Sequence, residues 1–349
     1  MKAWVLEDIG NIKYKEVLKP QISENEVLVQ VKAAGICGSD IPRIYQTGAL
    51  QMPLTPGHEF SGQVVQTGEN ADVKWQNKRV GIFPLIPCRN CIACQKGQYE
   101  LCRNYSYLGS RRDGGFAEYV AVPERNLIEL PENVSYEEAA MLEPMAVACH
   151  ALRRVKASSS DTVAVCGLGT IGMFIVMLLL ERNVKNLLVI GNKAFQKEMI
   201  LKLGIPEEQY CDSKCENAEA WLDKKTGGIG ADVFFECVGK NETCSLAINH
   251  AAPGGKVCLV GNPYSDMLLD KQAYWKILRN QLTVTGTWNS SFTGEVTDDW
   301  HMIVHLLKEK KIDPAQFISH RYTLEELNRG FEIMRDKSED YIKIMAVME

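Results

Sequence analysis

The sequence predicts an all-β domain followed by a doubly wound, parallel α/β domain, with a short C-terminal segment that returns to the first. Three observations carry this. Short apolar strands broken by Gly, Pro and Asn fill the first third of the chain. A continuous apolar strand, Thr162–Cys166, then runs into Gly167-Leu168-Gly169-Thr170-Ile171-Gly172 and a helix. Beyond that point strand and helix patterns alternate, as a parallel sheet with helices on both faces requires. A length of 349 residues fits this division, since a domain averages roughly 150 residues.

The first domain is expected over 1–150, with strands at 2–6, 26–34, Glu59–Thr67, Arg79–Ile82 and 116–122. In the second, 151–287, the strand Thr162–Cys166 and the helix at 171–180 lead into strands at 186–190, 209–211, 232–238, 256–260 and 282–286. Helices at 194–203, 216–225 and 242–251 separate them. The remainder, 288–349, reads as helices at 298–310 and 324–336 and a last strand at 341–347.

Hydrophobic residues at 46% and charged residues at 24% exclude a disordered chain. A net charge of −5 argues against a general nucleic-acid or anionic-membrane binder, so any basic site is local. Residues 1–7 lack a cationic stretch followed by an apolar one, and the longest apolar run, 173–180, is too short for a bilayer. The expectation is a cytoplasmic protein without a secretory signal. Thiols stay reduced there, so clustered members of the twelve cysteines point to metal.

Cys88, Cys91, Cys94 and Cys102 stand at Cys-x2-Cys-x2-Cys-x7-Cys, beside the turn formers Pro87, Asn90 and Gly97. Four thiolates on a turning loop suit one tetrahedral zinc, whose binding offsets the entropy of ordering the loop. An iron–sulfur cluster is the competitor, but ferredoxin runs continue Cys-x3-Cys-Pro, and here the fourth cysteine comes later and precedes Arg103. A closed set of four leaves no position for substrate, so this metal is structural.

A second, open set is Cys37 in Gly35-Ile36-Cys37-Gly38-Ser39-Asp40, His58 in Gly57-His58-Glu59, and Glu143 before Pro144. One thiolate, one imidazole and one carboxylate leave a coordination position free, the pattern of catalytic zinc. Taken singly, each reads equally as a packed or exposed residue.

The glycine run follows a strand and opens a helix, the context a dinucleotide fingerprint needs. Gly167 allows the tight turn, Gly169 lets a pyrophosphate approach, and Gly172 permits close helix packing. The next strand ends in Gly191-Asn192-Lys193, without the acid that binds the ribose hydroxyls of NAD. Room and a cation favour NADP over NAD, although Lys193 also reads as a solvated helix-start lysine. Val238, Val260 and Gly261 follow later strands, where doubly wound sheets bind ligands, and are expected to border the nicotinamide. Cys149, His150, Cys166, Cys211, Cys215, Cys237, Cys244 and Cys258 are read as packing residues.

Together these motifs, with Gly114-Gly115-Phe116-Ala117-Glu118-Tyr119 and Glu143-Pro144 in the same order, resemble the zinc-dependent medium-chain dehydrogenase/reductase family along the whole chain. The resemblance implies a GroES-like β domain split by a Rossmann domain, with catalytic zinc in the cleft. Cys37, His58 and Glu143 would bind it, with Glu59 as an alternate or outer ligand and Ser39 as the hydroxyl that takes the substrate proton. Two zinc ions per chain and a homodimer or homotetramer are also implied. Many relatives carry a histidine five residues after the zinc cysteine; this chain has Pro42. The run Gly191-Asn192-Lys193 looks like that of NADP-using members.

Within the family, residues 37–43, 109–115, 276–279 and 286–291 look like members acting on polyol phosphates such as galactitol-1-phosphate. A phosphate needs a bidentate cation, and Arg43, Arg111 and Arg112 are the candidates. Surface arginines, or salt bridges to Asp40 or Asp113, are the plain alternative. Rival functions are a dehydrogenase of unphosphorylated polyols or secondary alcohols, and a noncatalytic nucleotide sensor.

Overall fold

The computed structural model describes residues 1–263 and 265–349, and the chain divides into two units, Met1–Pro144 with Ser290–Glu349, and Met145–Asn289. The first boundary lies ahead of the 150 read from sequence, inside a helix.

The first unit opens with the hairpin β1 (Lys2–Asp8) and β2 (Asn11–Glu16), followed by β3 (Glu26–Gly35), whose burial on both faces marks the centre of a sheet. A short turn of helix, α1 (Asp40–Pro42), leads to β4 (Glu59–Thr67) and β5 (Arg79–Ile82). The small ladder β6 (Leu85–Ile86) and β7 (Ser106–Tyr107) flanks a loop carrying α2 (Ile92–Gln95). Then come β8 (Tyr119–Pro123), β9 (Leu127–Glu129), α3 (Tyr136–Ala140), fixed by a Ser135–Glu138 capping box, and α4 (Leu142–Val155).

The strand expected at 116–122 starts only at Tyr119. Before it, Gly114, Gly115 and Phe116 spend their N–H groups on the carbonyls of Thr55, Gly57 and Pro56, so the chain follows the loop ahead of β4.

The second unit is a parallel sheet in which the Thr162–Cys166 strand (β10), β11 (Asn186–Gly191), β12 (Tyr210–Asp212), β13 (Ala231–Glu236), β14 (Ala251–Leu259) and β15 (Thr283–Gly286) lie in the order 12-11-10-13-14-15. The order reverses at β10, as in a doubly wound fold. Between the strands run α5 (Thr170–Glu181), apolar and buried from Gly172 to Leu179, α6 (Ala194–Lys202), α7 (Ala218–Thr226), α8 (Asn241–Asn249) and α9 (Lys271–Arg279). Its core gathers Ala164, Leu188, Phe234, Leu246 and Val257.

The chain then re-enters the first unit through α10 (Asp299–Lys308), β16 (Ile318–Tyr322), α11 (Leu327–Asp336) and β17 (Lys343–Val347). β17 pairs antiparallel with β3, Met345 opposite Gly35, and completes a sheet in the order 16-17-3-4-5-9, with β8 also on β3. Trp4, Phe116, Phe331 and Ile344 share its core, and Trp4 donates its indole N–H to the Leu324 carbonyl at 2.6 Å. Among the described residues, no helix is long and apolar enough to cross a membrane.

Candidate metal and nucleotide sites

Antiparallel pairing explains how Cys37 and His58 meet. β3 and β4 close with Gly35 opposite Glu59, so Cys37, two residues beyond β3, and His58, just before β4, emerge side by side. Ligand atoms of Cys37, His58 and Glu59 all lie within 4.8 Å of one another. Asp40 beneath them is fully buried; it accepts the Cys37 N–H at 3.0 Å and an Arg43 N–H at 2.5 Å, and lies 3.4 Å from His58 Nδ1. Ser39 donates its hydroxyl to Cys37 Sγ at 3.3 Å.

Charge decides what this cluster wants. Burial pulls the His58 imidazole towards neutrality, yet the Asp40 carboxylate and the Cys37 sulfur overcome it and hold the ring well above its ordinary value. His58 Nδ1 is nonetheless buried without a hydrogen-bond partner. Glu59 is paired with Lys343 Nζ at 2.5 Å, both side chains almost wholly buried, and Lys343 also donates to the Ile36 carbonyl at 3.1 Å. A thiolate, an imidazole braced by a carboxylate, and a further carboxylate fit a zinc with an open position.

Glu143, at the start of α4, stands outside that set of three. Its Oε1 accepts the Tyr107 hydroxyl at 3.1 Å, and burial raises its carboxyl to about 7, against the pull of His58 and with a push from Glu59. The structure therefore brings Glu59, rather than Glu143, within ligand reach of Cys37 and His58.

The four-cysteine loop is a second cluster. Ligand sulfurs of Cys88, Cys91, Cys94 and Cys102 lie within 4.8 Å of one another, with Cys88–Cys94 and Cys91–Cys102 separations of 4.0 Å. A zinc–sulfur bond of about 2.3 Å implies tetrahedral edges near about 3.8 Å, so the loop fits the ion. N–H groups of Cys94 and Arg103 lower the Cys91 thiol to about 6, while burial pushes Cys94 up to about 12.

In the second unit, Gly167 turns at φ +99 directly after β10, and a Cβ there would stand 2.5 Å from Val238 Cγ2. At Gly172 a Cβ would lie 1.9 Å from the Gly167 carbonyl, whereas at Gly169 it would meet nothing within 4 Å. The turn is thus closed at its first and third glycines and open at the second, the N-cap of α5, the cradle a pyrophosphate requires. Leu168 lies within the turn, and Thr170 and Ile171 open α5.

Glu236, the last residue of β13, organises the opposite side. Its Oε1 accepts from Val238 N, Gly239 N and Thr243 Oγ1 at 2.8, 2.9 and 2.7 Å, and its carbonyl accepts from Val260 N and Gly261 N at 2.8 and 3.0 Å. Val238, Val260 and Gly261 therefore meet at one strand end. Beyond β11, Asn192 N donates to Gln196 Oε1 at 3.2 Å, the Gln196 amide donates to the Leu168 carbonyl at 3.0 Å, and Lys193 caps α6 with its ammonium 5.3 Å from the Phe195 ring.

Residues 23–132 match the alcohol dehydrogenase GroES-like domain, and residues 170–309 the zinc-binding dehydrogenase domain. Galactitol 1-phosphate 5-dehydrogenase of Escherichia coli K12 is 32% identical over 326 residues, covering 93% of this chain and 94% of that one. The chain belongs to the zinc-dependent medium-chain dehydrogenase/reductase family. The crystal structure of galactitol-1-phosphate dehydrogenase from E. coli superposes with a TM-score of 0.92 at 31% identity, covering both chains fully. A zinc-binding dehydrogenase from Sinorhizobium meliloti 1021 bound to NADP (TM-score 0.90, 28% identity, 99% of both chains) and an E. coli CFT073 alcohol dehydrogenase with NADH (0.89, 26%, 100% and 99%) are also similar.

In this dehydrogenase the three candidate phosphate arginines are engaged within the first unit. Arg43 pairs with Asp40, and Arg112 pairs with Glu26 rather than Asp113, whose carboxylate accepts from Thr55 N at 2.8 Å. Arg111 donates to the Tyr105 carbonyl at 2.7 Å and lies over its ring at 3.9 Å. Sequence reading missed Lys343, Tyr107, Glu236 and Gln196, and gave Asp40 only as a salt-bridge partner. For Lys343 the available signal was a lysine opening an otherwise apolar strand.

Proposed function

We propose that the dehydrogenase oxidises a secondary alcohol of a polyol phosphate with NADP, at a zinc held by Cys37, His58 and a carboxylate from Glu59 or Glu143. A second zinc closes the loop at Cys88, Cys91, Cys94 and Cys102. The observation that carries this is the meeting of Cys37, His58 and Glu59 in one largely buried set. When bound, zinc supplies a Lewis acid to the alcohol oxygen and the nicotinamide accepts the hydride.

The chain's own residues do the rest. Asp40 orients His58 from its Nδ1 side, and Lys343 balances Glu59 so that the carboxylate can stay buried. Ser39 takes the alcohol proton, and with Pro42 in place of a relay histidine the onward path runs through water or ribose hydroxyls. NADP is supported by the absence of an acid at position 191 and by Asn192 and Lys193 beyond it; similar structures hold NADP in one case and NADH in another.

A phosphorylated substrate is supported by the likeness to galactitol 1-phosphate 5-dehydrogenase. A specific observation favours the second reading, an unphosphorylated polyol: Arg43 and Arg112 already hold carboxylates. One experiment separates them, a panel of polyols and polyol phosphates assayed with NAD and with NADP. Higher kcat/KM on phosphates, lost on Arg43→Ala or Arg112→Ala while the free polyol is spared, supports the first reading; equal losses on both sink it. Two zinc ions per chain support an enzyme, and one supports a nucleotide sensor.

A homodimer or homotetramer is supported by the second unit's surface. β15 is an edge strand, and Leu268, Tyr274, Trp275, Leu278, Val284 and Trp288 are exposed on or near it and α9. Sedimentation at several protein concentrations tests this.

A further inference from the structure

Position 191 carries no side chain, and the neighbouring strand supplies a reason. β11 and β12 run parallel with Val189 opposite Tyr210 and Gly191 opposite Asp212, so Tyr210 is the diagonal neighbour of Gly191. A Cβ on Gly191 would lie 2.6 Å from Tyr210 Oη, 3.1 Å from Tyr210 Cε2 and 2.8 Å from Leu168 Cδ1. Leu168 can turn its methyl aside. The Tyr210 ring is a rigid plane only 6% exposed, with no slack of that kind.

The strand end is held as well. The Gly191 carbonyl accepts from Ser213 N at 2.9 Å and Ser213 Oγ at 3.1 Å, and Asn192 N is tied through Gln196 to Leu168. Tyr210 Oη itself is buried without a hydrogen-bond partner. A phenylalanine would fill nearly the same space without leaving a polar atom unsatisfied, so the bare hydroxyl is a cost that packing does not explain.

We propose that Tyr210 is a cofactor-selectivity residue, its hydroxyl filling the volume that an acidic side chain at position 191 would need. The phenol, acting through Gly191, keeps the adenosine end of the site free of the negative charge that NAD-type sites place there. This rests on the NADP reading above. It implies that aspartate at 191 cannot by itself convert the enzyme to NAD.

The test is a double-mutant cycle on the full chain: wild type, Gly191→Asp, Tyr210→Ala and the double variant, each assayed for kcat/KM with NAD and NADP. A milder cycle, Gly191→Ala with Tyr210→Phe, covers the case in which G191D does not fold. G191D alone is expected to lose roughly tenfold or more with both nucleotides, the scale of an overpacked contact. Adding Tyr210→Ala should restore NAD but not NADP activity, moving the NAD-to-NADP ratio by roughly another tenfold. In the milder cycle, Y210F should recover most of what G191A loses.

Independent, additive effects at 191 and 210 overturn the proposal. So does equal recovery with both nucleotides in the aspartate cycle, which is what a merely structural role predicts. A wild-type preference for NAD would count against the NADP reading, whereas the steric coupling is decided by the cycles themselves.

Discussion

The two candidate metal clusters of the first unit follow opposite plans. The four-cysteine loop draws its ligands from one short stretch around α2, with thiolates steadied by neighbouring N–H groups. The Cys37 set draws on the ends of two paired strands and on Lys343 from a third, around a fully buried Asp40. In the first cluster a metal would replace a core that the loop lacks; in the second it would balance charges that a core has already enclosed. Losing the first metal should therefore cost structure, and losing the second should cost chemistry.

That contrast is open to test, beginning with the largest effect. Cys94→Ser should open the loop and lower stability by several kcal/mol, read as a fall in Tm with loss of about one zinc per chain. Cys37→Ala should also remove about one zinc, yet hold Tm nearly constant while kcat falls roughly 10³-fold, about 4 kcal/mol. If both variants lose Tm equally, the distinction fails. Lys343→Met leaves the Glu59 carboxylate buried without a counter-ion, and urea titration should show a loss of about 3 kcal/mol, largely recovered in the K343M/E59Q pair.

Asp40→Asn should weaken zinc binding about 10- to 100-fold in a chelator competition, with a smaller effect on stability. The smallest effect concerns Glu26. Burial pushes its carboxyl up, but the Ser23 N–H and the Arg112 guanidinium more than reverse this, so its folded value lies below the ordinary 4.5. The stabilisation is full above about 4.5 and fades as pH falls through the depressed value. Tm followed downward in pH should therefore fall less steeply in Arg112→Met than in the wild type.

The alternation of strands and helices in the second unit was legible because β10 and the middle of β13 are short buried apolar runs and Gly167–Gly172 marks the turn by residue type. α9 escaped notice for a physical reason: of Lys271–Arg279 only Ala273 is buried, with Ile277 beside it against the core, while Tyr274, Trp275 and Leu278 are exposed, so the core-facing stripe is two residues long and masked by apolar residues on the other faces. β13 was read through to Val238, but the Glu236 side chain takes the N–H groups of Val238 and Gly239 and ends the ladder there. The Cys37 and His58 motifs were visible singly. Their joint geometry was not, because it depends on the β3–β4 register and on a lysine separated from Glu59 by 284 positions.

The pairing of β17 with β3 carries a consequence for biosynthesis. Cys88 to Cys102 are translated well ahead of β17, so a metal ion taken up by that loop would be bound before β17 pairs with β3. Lys343 is translated well after that loop, and until it docks, Glu59 lacks the ammonium it pairs with beside Cys37 and His58. The Cys37, His58 and Glu59 set is therefore assembled only once β17 has paired with β3, whereas the four-cysteine loop needs no such partner.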